Sequence, residues 1–220
     1  MPDARLARRL ERGIHLALLA VLGLLLYGWR LAPSVGPFAP AAMLAIYALI
    51  AHQGVHAIGD RHPRILRAIV ACGALAAAVF VPSILVEYVG RTIDNGLMLG
   101  AVAASFLIAG AIAAWRTARI RDAVWASALS GIIASIAVVI TVLAAYYVLR
   151  GSALQERFFR TEGDYDDFAR SGMSDFNTWI IEDMFGGVFF HLLLGAALAA
   201  ALGAVAGVLT LGYRRVSAKG

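Results

Sequence analysis

The sequence predicts an all-α integral membrane protein. Six transmembrane helices form one bundle with both termini cytoplasmic, and one long extracytoplasmic loop of short interfacial helices precedes the sixth. Three observations lead there. The 220 residues are 61% hydrophobic and only 15% charged, against about 25% charged residues in a soluble domain. Apolar runs near the ~20 residues that a helix needs to cross a bilayer recur along the whole chain. Basic residues gather at alternate ends of those runs, the pattern of the positive-inside rule.

The first helix is expected over 13–31 (GIHLALLAVLGLLLYGWRL). Its apolar core is longer than a signal-peptide h-region, and the small residues that follow lie among prolines (LAPSVGPFAPAA), so it reads as an uncleaved signal anchor. The second covers 38–59 and the third 65–90. The third carries Pro82, which removes a backbone donor and predicts a kink. The remaining three are expected at 96–115, 123–149 and 184–212. No internal repeat or low-complexity segment divides the chain, so residues 1–220 form a single transmembrane domain.

Charge sets the threading. Arg5, Arg8, Arg9 and Arg12 precede the first helix, and Arg61, Arg64 and Arg67 separate the second and third. Arg116, Arg119 and Arg121 separate the fourth and fifth, and Arg214, Arg215 and Lys219 follow the sixth. Those thirteen share one side; the other six basic residues and ten of the fourteen acids take the other. The predicted orientation is therefore N-in, C-in. One lysine among nineteen basic residues, with abundant alanine, suggests a GC-rich bacterial genome and hence a bacterial inner membrane. The net charge of +5 belongs to these flanks, so the lipid bilayer is the expected partner and nucleic acid is not. Cys72 is the sole cysteine, which precludes an intrachain disulfide.

The loop 150–183 holds four arginines and eight acids. Ser152, Asp164 and Ser174 are expected N-caps of short helices. Phe158, Phe159, Tyr165, Phe168, Phe176 and Trp179 are expected along the outer interface. A loop of this length is uncommon without a role, so a protein partner there is one expectation. The acidic run GDYDDF is not an EF-hand: its sixth position would be Ala169 and its twelfth Asp175, where glycine and glutamate belong.

Helices in lipid associate through small residues that let backbones approach. Four-residue ladders supply them: Gly96 and Gly100 with Ala104, Gly131 between Ser127 and Ser135, and Gly187, Gly195, Ala199, Gly203 and Gly207.

The polar candidates begin with HQGVHAIGDRH at 52–62. His52, His56 and Asp60 are four residues apart, so a helix puts them on one face, with His56 ~6 Å and His52 ~12 Å deeper than Asp60. His15 begins the first helix on the same side. Histidines at i, i+4 with a carboxylate are a metal-ligand pattern, and the metal alternative uses His15, His52, His56 and Asp60. Against it stands the plainer reading of a polar helix end. His191 falls on the glycine ladder, and Glu87 follows Pro82 near the end of the third helix, level with Arg30. Ionisable groups at membrane depth suggest an ion or proton path, here His52, His56, Asp60, His191 and Glu87. A haem between His52 and His191 is a further alternative. Complete catalytic motifs are absent: there is no HExxH, no paired-glutamate protease motif and only one histidine box. No catalytic residue is assigned and no cofactor is expected on the first reading. The leading expectation is a small non-enzymatic transporter or channel-like protein. The alternatives are an accessory, assembly or sensor subunit that binds a partner through the loop, and a metal- or haem-binding redox protein.

Overall fold

Lipid offers no partner for a bare N–H or C=O, so a chain this apolar must close its backbone bonds locally, which a helix does. A computed structural model describes residues 3–59, 62–91 and 93–218. These fold into eight helices: α1 (Asp3–Leu31), α2 (Phe38–Gly59), α3 (Pro63–Tyr88), α4 (Asn95–Thr117), α5 (Ile120–Val148), α6 (Ala153–Glu162), α7 (Asp164–Ser171) and α8 (Phe176–Ser217). Among the described residues six helices are long and apolar enough to cross a membrane, all but α6 and α7. The protein is therefore a helical membrane protein. Its outward face agrees: Leu16, Leu19, Leu99, Ile108, Leu194, Leu198 and Leu209 are exposed. Such a belt is costly in water and ordinary in lipid.

α5 is the axis, packed on each of the other five long helices. Its small residues let α8 come close. A Cβ on Gly131 would stand 2.5 Å from Ala199 Cβ and 2.8 Å from the Gly195 carbonyl oxygen, and one on Gly203 would stand 2.7 Å from the Ala123 carbonyl oxygen. Gly195 abuts the Ser135 side chain, and Gly207 would place a Cβ 3.2 Å from Ala123 Cβ. The expectation for α4 needs correction. Gly100 has no atom near its would-be Cβ and Gly96 meets only the Asp94 side chain, whereas Gly110 lies against Ser127 and Gly203. The contact of α4 with α5 and α8 thus falls further along the helix than the Gly96–Gly100 ladder.

Buried serines close their own donors. Ser127 Oγ donates to Phe106 O (2.7 Å), and Ser130 Oγ donates to Ile69 O (3.0 Å). Tyr47, fully buried, donates from α2 to Leu192 O of α8. Tyr147 donates from α5 to Leu24 O of α1 (3.1 Å).

α1 and α8 outrun their expected bounds because each continues as a polar helix past its apolar core. At 1.5 Å per residue α8 is ~63 Å long, well beyond a ~30 Å hydrocarbon core. The connection between α5 and α8 is correspondingly shorter than 150–183. Ser152 caps α6, accepting from Gln155 N (3.2 Å). The other caps fall one residue away from expectation: Gly163 precedes α7, and Asp175, not Ser174, caps α8 by accepting from Thr178 N (2.7 Å). The loop aromatics pack on one another. Tyr165 stacks on Phe176 at 4.6 Å between centroids, and Phe168 meets both Phe176 and Trp179. α6 is fastened to the bundle. Gln155 Nε2 donates to Tyr146 O (3.1 Å), Arg157 Nη2 donates to Tyr88 O (3.2 Å), and Phe158 stacks on Tyr88 at 4.3 Å.

Candidate functional site

The expected histidine path divides into two sites. His52 and His56 belong to α2, His191 to α8 and Glu87 to α3; α2 packs on α8 as well as on α5, but the histidines of the two helices fall in separate clusters. Asp60 lies outside the described residues.

The first site is at the bundle end where α1 begins and α2 finishes. The core stripe of α2 runs through Tyr47, Ala51, Val55 and Ile58. His52 and His56 follow Ala51 and Val55 by one residue each, so they share a face turned ~100° from that stripe, beside α1. There they meet Glu11, which occupies the α1 stripe of Ala7, Ile14, Leu18, Val21 and Leu25. His52 Nδ1 is 2.7 Å from Glu11 Oε1, and His56 Nε2 is 3.5 Å from Glu11 Oε2. The two rings pack edge to face at 4.7 Å. The Glu11 side chain is 19% exposed, the imidazoles 58% and 47%. Three donor atoms, one per residue, lie within 4.8 Å of one another. His15 stands apart from this triad: its Nδ1 bonds the Glu11 backbone oxygen one turn back (2.8 Å).

The second site is at the opposite end, under α6 and α7. A cavity of about 520 Å³ opens there between α3, α4, α5 and α8. Glu87, Glu162, Asp164, Asp183 and His191 supply its acidic and imidazole groups, and among the described residues no arginine or lysine lines it. Much of the rest of its wall is aromatic, including Tyr88, Phe158 and Phe80. Asp164 is pushed up to about 6, by burial first and then by the charges of Asp183, Glu162 and Asp167. The negative field of the cavity is thus left without an internal counter-charge. Nearby Glu156, on the solvent side of α6, shows the contrast: it accepts from Tyr165 and pairs with Arg160 at 2.6 Å, and both hold its carboxyl below the usual range.

His191 marks the inner end of this cavity, with its ring edge to face against Phe80 at 5.8 Å. Both residues, with Leu99, also line a second cavity of about 350 Å³ whose wall is almost wholly apolar. The two spaces adjoin at His191, and Gly195 of the α5–α8 crossing lines the far side of the second. Arg30 forms no ion pair with Glu87 among the described residues; instead Glu87 shares its cavity with three other carboxylates. For the haem alternative, His52 is engaged by Glu11 and His56, whereas His191 lines the cavity under α6 and α7.

Sequence reasoning missed Glu11 and Glu162 as site residues and read Asp164 only as a helix cap. Glu11 had a signal: it is the one acid among the four leading arginines, at helical spacing from Ala7 and Ile14. The cavity carboxylates come from three separated segments, and no local spacing joins them. Comparison of the chain with protein-family models, with curated proteins and with solved structures finds no match.

Proposed function

We propose that this protein is a small membrane carrier for an organic cation, which it recognises in the cavity beneath α6 and α7. One observation carries the reading: four carboxylates and a histidine line a partly aromatic cavity to which, among the described residues, no arginine or lysine contributes. A cation would relieve the like-charge crowding that adds to burial in raising Asp164. Aromatic faces at Tyr88 and Phe158 suit an organic cation, through the attraction of ring quadrupoles for positive charge. A carrier fits better than an open pore, because the space beyond His191 runs into the close α5–α8 crossing at Gly131, Gly195 and Ala199. That crossing uses small side chains and backbone, an interface able to slide. His191, at the inner end, supplies a titratable group for exchange against a proton. His52, His56 and Asp60 take no part in this route.

In this reading both termini are cytoplasmic, in the inner membrane of a bacterium, and the cavity opens outward. The clustering of basic residues on the terminal side supports that orientation. Labelling of single cysteines at Ser174 and Ser217, in a Cys72→Ser background, tests it: an impermeant reagent should reach position 174 only in intact cells. A partner-binding role for the loop has less support, because its aromatic side chains are spent on one another and on α3.

The test of function is binding and flux with ethidium, a fluorescent organic monocation. Saturable fluorescence enhancement is expected with purified protein in detergent, together with uptake into proteoliposomes driven by a pH gradient. Both should be lost in a Glu87→Gln, Asp183→Asn double variant. Enhancement that is absent, or equal in the double variant, refutes the cavity as a cation site; binding without uptake refutes the carrier.

A further inference from the structure

The triad at the other end of the bundle has no place in that cavity, and its chemistry is different. We infer that Glu11, His52 and His56 bind a divalent first-row transition-metal ion that clasps α1 to α2. The inference rests on geometry. The three donor atoms, Glu11 carboxylate O, His52 Nδ1 and His56 Nε2, come from two helices and converge within 4.8 Å. A tetrahedral ion with bonds of ~2.1 Å holds its ligand atoms about 3.4 Å apart. His52 Nδ1 stands 2.7 Å from Glu11 Oε1 and His56 Nε2 3.5 Å from Glu11 Oε2, so ligation through one oxygen needs side-chain shifts of about an ångström within a cluster no wider than 4.8 Å. The half-exposed imidazoles have room for that movement.

Donor type fixes the class of ion. Imidazole nitrogen suits zinc, cobalt, nickel and copper, whereas calcium and magnesium take oxygen. Two neutral imidazoles and one carboxylate leave a divalent ion with a single net positive charge and a fourth position for water. Three protein ligands with one open position are an arrangement zinc accepts. Arg8, Arg9 and Arg12 on the same helix are exposed, and the ion-pair partners of the Glu11 carboxylate among the described residues are the two histidines. His15 holds its ring on the Glu11 backbone oxygen, which fixes the turn of α1 that presents the carboxylate.

A hydrogen-bonded Glu11–His52 contact without metal is the competing account, and the experiment separates the two. Cobalt(II) is the probe, because zinc is spectroscopically silent. It is titrated into purified protein in detergent, produced without a polyhistidine tag. The expected result is visible d–d absorption of a low-coordinate cobalt site, saturating near one ion per chain, displaced by zinc and accompanied by a rise in Tm. His52→Asn keeps a hydrogen-bond donor toward Glu11 but removes the ligand. Groups that merely orient ligands change metal affinity about 10–100-fold, so loss of a ligand should weaken binding at least about 100-fold. Glu11→Gln should do the same if His52→Asn does not fold, and His191→Ala should bind as wild type does. No saturable cobalt spectrum, or one that persists in both triad variants, overturns the inference. Its outcome is independent of ethidium binding at the other end.

Discussion

Substituting Gly131 by alanine probes the crossing on which both the fold and the closed inner end of the cavity depend. The new methyl carbon would stand 2.5 Å from Ala199 Cβ and 2.8 Å from the Gly195 carbonyl oxygen. Non-bonded carbons are most comfortable at about 3.5–4.0 Å, so α5 and α8 must part by roughly 1 Å. The second obstacle is backbone, and no side-chain rotation relieves it. Overpacking of this kind costs about 1–3 kcal/mol. Alanine also gains about 0.8–1.0 kcal/mol over glycine in helix propensity. Gly100→Ala isolates that gain, since no atom lies within 4 Å of its would-be Cβ. The two variants should therefore differ by about 1–3 kcal/mol, with Gly131→Ala the less stable. Unfolding of both in one detergent, by heat or by titration with dodecyl sulfate, measures the difference. Ala199→Gly in the Gly131→Ala background should recover part of the loss, because it removes the nearest obstructing carbon. Equal stability of Gly131→Ala and Gly100→Ala would refute the close crossing.

Other perturbations reach the lid and the cavity. Gln155 is buried, donates to Tyr146 O and accepts from Gly151 N (2.9 Å); Gln155→Ala should cost about 1–3 kcal/mol by orphaning both groups, seen as faster proteolysis between α5 and α8. Tyr147→Phe loses the bond to Leu24 O (3.1 Å) and should lower stability by about 1 kcal/mol, with a smaller effect pointing to a contact already satisfied by other means. Asp164 is pushed up to about 6 in the fold against ~3.9 when unfolded. Its protonated form is therefore favoured by folding, and that contribution is complete below ~3.9 and lost as pH rises through about 6. Tm should fall between pH 4 and 6, and Asp164→Asn should flatten that fall; an unchanged profile in the variant assigns the slope to another group.

Much of the architecture was legible because lipid imposes strong local rules. An uninterrupted apolar run must be a helix, and the arginine clusters mark which ends of the helices share a side. What could not be read locally was which helix faces which. The ladder at Gly131, Gly195 and Gly203 and the ladder at Gly96 and Gly100 look alike in sequence, yet only the first lies against a neighbour, because α5 is central and the loop-side start of α4 is not. The same limit governs the sites. The i, i+4 spacing fixed His52 and His56 on one face of α2, but their partner is Glu11 of α1, not the next residue in the series, Asp60. Spacing along one helix says nothing of the helix beside it.

The cavity shows that limit in a stronger form. Glu87 closes α3, Glu162 closes α6, Asp164 opens α7 and Asp183 lies two turns into α8. None of them announces the others in sequence; the concentration of negative charge exists only once α6 folds back over α3 and Phe158 stacks on Tyr88. That fold-back depends on Gln155 and Arg157, two polar residues whose partners are backbone carbonyls at the ends of α5 and α3. Helix-end carbonyls have no partner within their own helix, so the lid satisfies an obligation that the bundle creates. The lid is therefore part of the bundle's hydrogen bonding, and loosening it should disperse the carboxylates. The Glu11 triad lies at the other end of the bundle, where α1 begins and α2 finishes. Energetic effects at well-separated sites add, so Gln155→Ala should weaken ethidium binding and leave cobalt binding at the triad unchanged. Loss of both together would mean that the two ends are coupled through the bundle.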